Sequence, residues 1–129
     1  MSQTQNKISV SPQGEAFPLP ELSDYAAEYE RVEALAEAAR ESGKEVVVVM
    51  GVGFVGAVMA AIVADCEGKD GLPSKFVIGC QRPSTRSYWK IPLLNRGVSP
   101  VKAEDPQVDL LIGRCVLEKK TLIATYNSQ

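Results

Sequence analysis

The sequence predicts an α/β fold in which a parallel β-sheet is flanked by helices. Three observations favour this class: a β-branched run over residues 45–50, its direct change into a glycine turn and an apolar helical segment, and two later strand-like runs separated by helical patterns. Strands and helices that alternate in this way are typical of parallel sheets with right-handed crossovers. The chain has 129 residues, which is enough for one domain with a buried core.

Residues 1–43 precede the alternating pattern. Residues 1–20 are rich in Ser, Gln and Pro, which predicts a mobile or loosely docked arm. Residues 21–43 predict an amphipathic helix that is capped at Ser23 or Asp24 and ends at glycine. We expect its apolar stripe to pack on the rest of the domain, with a dimer contact as the alternative. The stripe follows helical spacing and comprises Leu22, Tyr25, Tyr29, Val32, Ala36 and Ala39.

Residues 44–129 predict a partial, Rossmann-like dinucleotide-binding domain that contains only the first mononucleotide-binding half. The first strand, over 45–50, is mostly valine, which favours a central strand buried on both faces. The helix that follows, over 54–65, is apolar nearly all round, so we expect it to be buried. The remaining predicted elements are a strand over 76–80, a helix over 84–96, a helix over 106–118 and a strand over 121–125.

The glycine turn between the first strand and its helix has the spacing of a dinucleotide-binding fingerprint. Gly51 permits a tight turn, Gly53 lets the backbone approach a pyrophosphate, and Gly56 lets the helix pack close to the sheet. The free N–H groups of the first helical turn would then face the phosphates. The candidate pyrophosphate-binding residues are Gly51, Val52, Gly53, Phe54, Val55 and Gly56.

The end of the second strand bears on the choice of cofactor. A dinucleotide site usually has an Asp or Glu there, which holds the ribose hydroxyls. This chain has Gln81, which can bond a hydroxyl but does not repel a 2′-phosphate, and Arg82 and Arg86 could attract one. The alternative is that both arginines belong to a solvated basic loop. The choice between NAD and NADP is therefore open.

Composition argues against several classes of function. The net charge is −2 and the basic residues are scattered, so we expect no nucleic-acid partner. Histidine is absent and the cysteines are far apart, so no metal site is expected. We interpret the cysteines as reduced, small, buried side chains: Cys66, Cys80 and Cys115.

The run from Val46 to Ala64 carries no charge and is long enough to be considered as a membrane span. Its opening valines and clustered glycines favour a buried strand followed by a buried helix, so we expect no membrane partner. The N-terminus is polar and shows no signal-peptide pattern, and we expect a cytoplasmic protein.

Two further stretches add to the glycine turn. Residues 89–100 end in an Asn-x-Gly-x-x-Pro turn, and residues 104–111 read Glu-Asp-Pro-Gln-Val-Asp-Leu-Leu. With the strand-like residues 119–125, they resemble the UDP-glucose/GDP-mannose dehydrogenase family, the nucleotide-sugar 6-dehydrogenases. The resemblance covers about residues 45–126.

The resemblance implies an enzyme that oxidises the C6 alcohol of a nucleotide sugar to a carboxylate, in two hydride transfers to NAD. It implies that the glycine turn cradles the pyrophosphate, that Gln81 stands where the family has a ribose-binding Asp, that Arg86 approaches the adenosine end, and that Thr125 lies near the cofactor. The family's catalytic cysteine and lysine come from downstream regions that this chain lacks. We therefore assign no catalytic residue and expect no turnover by this chain alone.

The chain departs from the family pattern in three places: Gln81 replaces the Asp, Asp105 interrupts the usual Glu-Pro pair, and the loop before the second strand is longer. Two other interpretations stay open. One is part of another NAD(P)-dependent dehydrogenase, and the other is a non-catalytic Rossmann-like assembly module. An incomplete sheet leaves an open edge at the third strand or a neighbour of it, so we expect a homo-oligomer.

Overall fold

The structure, a computed structural model, describes residues 7–51, 54–99 and 106–126. The elements are, in chain order, β1 (Ile8–Val10), β2 (Ala16–Pro18), α1 (Leu22–Glu41), β3 (Glu45–Met50), α2 (Phe54–Ala64), β4 (Lys75–Gln81), α3 (Lys90–Asn95), α4 (Pro106–Gly113) with a π-helical continuation (Arg114–Glu118), and β5 (Leu122–Tyr126).

Strands β3, β4 and β5 form a parallel sheet in that order, with β4 in the centre. Met50 pairs with Cys80, and Gln81 pairs with Tyr126, so the three strands end at one edge. Helices connect the strands, as parallel pairing requires. This Rossmann-like arrangement confirms the α/β fold that the sequence predicts.

The position of β3 corrects one prediction. The expected central strand, buried on both faces, is an edge strand, and Val48 and Met50 are 54% and 65% exposed. A valine run favours a strand of any position, because its β-branched side chains suit a pleated surface. Whether such a strand lies in the centre depends on a second neighbour, and within the described residues β3 has only β4.

The two faces of the sheet are covered by different helices. On one face, the alanines of α2 pack with Val77 and Leu122, together with residues of α3 and α4. On the other face, Ala36 and Ala39 of α1 pack against Phe76 and Ile78. Alanine lets α2 lie close to the strands. The prediction that α2 is buried holds only for this alanine face, since Met59 and Ile62 are exposed.

Helix α1 lies where the sequence predicts it, but two details differ. Glu21 is the N-cap in place of Ser23 or Asp24, and the Asp24 carboxylate accepts a hydrogen bond from the Glu21 N–H at 2.9 Å. Tyr29 is 67% exposed and lies off the packed stripe. Glu28 points inward in its place, with only 15% of its side chain exposed.

The N-terminal segment is more ordered than the loosely docked arm that the sequence predicts. Strands β1 and β2 form an antiparallel hairpin that docks on the α3 region. The fully buried Ser9 hydroxyl accepts a hydrogen bond from the Trp89 N–H at 3.0 Å, and Arg96 makes a bidentate pair with Glu15. These long-range contacts order the segment. Residues 1–6 lie outside the described part.

The remaining boundaries shift by small amounts. The helix predicted over 84–96 is a set of turns that leads into α3, and the helix predicted over 106–118 is α4 with its π-helical continuation. The charge-free run 46–64 is divided between β3 and α2. Among the residues that the structure describes, no helix has both the length and the apolar character needed to cross a membrane.

Candidate functional site

The carboxyl edge of the sheet brings the glycine turn next to the end of β4. The Gly51 N–H donates to the Cys80 carbonyl at 2.6 Å, which places Gly51 beside Gln81. Gly51 has a φ of +90°, a left-handed conformation that glycine adopts most readily. Val52 and Gly53 lie outside the described residues, and Phe54 and Val55 begin α2. Parallel α/β sheets bind ligands at this edge.

Gly56 allows α2 to begin directly against the end of β3. A Cβ at this position would lie 2.1 Å from the Gly51 carbonyl oxygen and 3.0 Å from its carbon. No side chain fits at such distances. Gly56 therefore has the close-packing role that the fingerprint assigns to its third glycine.

Gln81 is held by the loop that follows it. Its Nε2 donates to the Ser87 hydroxyl at 3.3 Å, and the Ser87 and Ser84 hydroxyls lie 2.8 Å apart. The Trp89 indole N–H donates to the Arg86 carbonyl at 2.8 Å and fixes the far end of the loop. The loop is thus ordered, with a neutral carboxamide where an acid is usual.

Arg82 and Arg86 belong to this ordered loop. Both are exposed. Neither guanidinium forms an ion pair with another part of the chain that the structure describes. They lie on the turn that directly follows β4, and so at the same edge as Gly51 and Gln81.

Thr125 pairs with Cys80 in the sheet, but its side chain is directed to the face covered by α1. It is buried, and its hydroxyl donates to the Glu28 carboxylate on the face covered by α1. Contact between this hydroxyl and a cofactor would require that hydrogen bond to break. Glu28 itself was not singled out from the sequence. Its position three residues after Tyr25 and four before Val32 places it on the inward stripe and could have identified it.

A cleft of about 440 Å³ lies between α1 and the end of β5. Burial and the nearby charge of Glu28 raise the pKa of Tyr126 to about 12. Carboxylates outnumber guanidinium groups in the lining, which disfavours a phosphate there. The lining residues that decide this are Glu21, Asp24, Glu28, Arg31, Tyr88 and Tyr126.

Neither Cys80 nor Cys115 has an activated thiol. Cys115 is buried, and burial raises its pKa, with a further contribution from the charge of Asp65. Burial also raises the pKa of the half-buried Cys80. The expectation that all three are buried is wrong for Cys66, which is exposed because it follows the end of α2 in the polar loop before β4.

The pairing of Glu28 makes stability depend on pH. Burial opposes its ionisation, but hydrogen bonds from Arg31 and Thr125 outweigh burial and hold the pKa of Glu28 below its usual value. A carboxylate with a lowered folded-state pKa stabilises the fold above its unfolded pKa, and this stabilisation is lost as the pH falls through the folded value. We expect the free energy of unfolding to decrease as the pH falls below 4.5, the ordinary pKa of a glutamate, and through the lower pKa of the folded state.

Urea titrations at a series of pH values measure this effect. Glu28→Gln should be less stable than the wild type at pH 7, and its stability should vary less below pH 5. Glu37→Gln, an exposed glutamate on the same helix, is the matched control and should follow the wild-type profile. Identical profiles for Glu28→Gln and the wild type would contradict a structural role for this carboxylate.

The described residues fit the adenosine end of a dinucleotide. Gly51 and Gly56 form the strand-to-helix junction, and Gln81 and Arg82 lie at the adjacent strand end. When bound, the nicotinamide of such a cofactor accepts or gives a hydride. The protein groups described here could hold the adenosine and phosphate groups.

The chain is similar to the crystal structure of NDP-N-acetyl-D-galactosaminuronic acid dehydrogenase from Methanosarcina mazei Go1. The sequences are 36% identical over 70% of this chain, and the TM-score is 0.55. The likeness spans 18% of that protein's own length. No family model and no curated protein matches the sequence. Both the fold and the sequence therefore relate the chain, at the level of the class, to the nucleotide-sugar dehydrogenases.

Proposed function

We propose that this chain is the NAD-binding part of a nucleotide-sugar 6-dehydrogenase of the UDP-glucose or GDP-mannose type. The observation that carries the proposal is the 36% identity to a dehydrogenase of an NDP-linked sugar acid. The glycine turn at the carboxyl edge of a parallel sheet supports it independently. The parent enzyme would oxidise the sugar C6 alcohol to a carboxylate, with a nucleotide sugar as its substrate.

In this proposal the residues of the chain bind and position the cofactor. The backbone from Gly51 to Gly56 receives the pyrophosphate at the start of α2, where unpaired N–H groups favour negative charge. Gln81 lies beside the adenosine ribose, with Arg82 and Arg86 at its outer side. Thr125 would contact the cofactor only after releasing Glu28.

We propose that the chain does not turn over a sugar by itself. Its three parallel strands correspond to one mononucleotide-binding half, which receives the AMP end of a dinucleotide. The raised thiol pKa values of Cys80 and Cys115 disfavour either as a nucleophile. Substrate contacts and catalysis would come from the parts of the parent enzyme that the likeness does not span.

Calorimetric titration with NAD tests this proposal. We expect saturable binding that 5′-AMP competes away and that nicotinamide mononucleotide does not, because only the adenosine half of the site is present. We also expect no reduction of NAD when UDP-glucose or GDP-mannose is added. Absence of binding by either NAD or NADP would overturn the proposed cofactor function, and turnover by the chain alone would overturn its assignment as a binding part.

A further inference from the structure

The middle of the chain concentrates positive charge. No Asp or Glu occurs from Gly71 to Ala103, although the chain as a whole has a net charge of −2. The same stretch holds six basic residues: Lys75, Arg82, Arg86, Lys90, Arg96 and Lys102. Their charges must be balanced by carboxylates from elsewhere in the chain, by solvent ions, or by an anionic ligand.

Carboxylates from other segments balance some of these charges and leave the loop after β4 unbalanced. Lys75 pairs with Glu45, and Arg96 pairs with Glu15. Arg82 and Arg86 are exposed, and no described carboxylate pairs with either. The acidic cleft begins at Tyr88 of the same loop, beside Asp24 and Glu28, and neither Arg82 nor Arg86 lines it.

Gln81 lies at the end of β4, beside the glycine turn and directly before Arg82. A carboxylate here would bond both ribose hydroxyls and repel a phosphate on the 2′-oxygen. Gln81 is neutral, and its Nε2 is directed to the Ser87 hydroxyl and the Arg82 carbonyl. Gln81 therefore adds no charge that would repel a 2′-phosphate, and Arg82 and Arg86, whose planar guanidinium donors suit a phosphate, follow it in the chain.

We infer that the loop of residues 82–87 binds the 2′-phosphate of NADP, and that the chain prefers NADP to NAD. The inference rests on the proposed dinucleotide-binding function and names NADP, in place of NAD, as the preferred cofactor. Gln81 permits the phosphate, Arg82 and Arg86 hold it, and the hydrogen-bonded loop keeps the arginines at the strand end. Charge-assisted hydrogen bonds of this kind predict a preference of about tenfold or more at low salt.

Titrations of the full chain with NADP, NAD, 2′,5′-ADP and 5′-AMP test the inference. The chain has one tryptophan, Trp89, whose indole is bonded to the Arg86 carbonyl, so its fluorescence reports on this loop beside the calorimetric signal. We expect NADP to bind more tightly than NAD and 2′,5′-ADP more tightly than 5′-AMP, and both preferences to shrink as salt is added.

Three variants locate the source of the preference. The double variant Arg82→Ala/Arg86→Ala should lose far more NADP affinity than NAD affinity. Gln81→Asp should reverse the preference by adding a charge that repels the phosphate. Arg40→Ala, an exposed arginine near the end of α1, is the matched control and should leave the preference unchanged.

The outcomes separate the two proposals. NADP preference that the double variant removes would support the inference. NAD binding as tight as or tighter than NADP binding would overturn the inference and leave the proposed cofactor function standing. Binding of neither dinucleotide would overturn the cofactor function and the inference together, provided that circular dichroism shows a folded chain.

Discussion

Gly56→Ala is expected to lower the free energy of unfolding by more than about 3 kcal/mol and to abolish dinucleotide binding. The added Cβ would lie 2.1 Å from the Gly51 carbonyl oxygen, and since the backbone fixes the positions of both atoms, no side-chain rotation relieves the overlap. Helix α2 would have to move away from β3. That movement would displace the N–H groups that we propose for the pyrophosphate. Urea denaturation and calorimetry with NAD measure the two effects.

Gly113→Ala is the matched control for this variant. Gly113 is the last residue of α4, and its Cβ would meet only the Gly97 carbonyl oxygen, at an ordinary 3.6 Å. Because alanine is a better helix former than glycine, by about 1 kcal/mol, this variant should be neutral or stabilising. If both variants had the same stability as the wild type, the close contact between Gly56 and Gly51 would be wrong.

The junction at residues 45–64 could be predicted from the sequence because its signals are local. β-Branched residues favour a strand, glycine permits the turn, and an apolar run favours a buried helix, so strand, turn and helix follow from neighbouring residues. The position of β3 in the sheet could not be predicted in the same way. Strand order depends on pairing between segments distant in sequence. A valine run is compatible with a strand at the edge of a sheet and with one in its centre, so its composition does not distinguish the two.

The N-terminal hairpin shows the same limit. Its sequence is polar and short, and nothing local predicts that it docks. Ser9 is held by Trp89, and Glu15 by Arg96, across about 80 residues of chain in each case. Contacts between residues so far apart in sequence could not be predicted, because they form only when the fold brings α3 beside the hairpin.

In the candidate site, too, some features could be predicted from the sequence and others could not. A parallel sheet places the ends of successive strands together, so the adjacency of Gly51 and Gln81 follows from topology. The direction of Thr125 depends on the alternation of side chains in β5. Ala124 faces α2, α3 and α4, so Thr125 faces α1 and meets Glu28. The sequence gives the alternation but not which helix covers which face.

Asn95 is the residue whose loss should most affect the other edge of the sheet. It is the last residue of α3, and its side chain forms two hydrogen bonds with Ala124 of β5. Its Oδ1 accepts from the Ala124 N–H at 2.8 Å, and its Nδ2 donates to the Ala124 carbonyl at 2.9 Å. The amide thus takes the place of a neighbouring strand. Asn95→Ala would leave the buried Ala124 N–H unpaired and its carbonyl with only the long 3.5 Å contact to the Arg31 guanidinium, and we expect a loss of about 2–3 kcal/mol in the free energy of unfolding.

Arg96→Ala is a demanding control, because Arg96 is the next residue and also makes a bidentate contact, but with the exposed Glu15. Exposed ion pairs contribute little, so this variant should lose about 1 kcal/mol or less. Equal losses in the two variants would contradict the distinction between a buried strand edge and a surface pair.

Asn95→Ala also tests our expectation that the chain self-associates. In the described structure Asn95 covers the edge of β5 at Ala124, whereas Val48 and Met50 lie exposed at the open edge of β3. One open edge pairs with one partner and closes, which favours a dimer, but two open edges allow chains to add without limit. We therefore expect light scattering to show a dimer for the wild type and larger, concentration-dependent species for Asn95→Ala. A monomeric wild type at high concentration would rule out pairing through β3, and a dimeric Asn95→Ala would show that β5 is protected by something other than this amide.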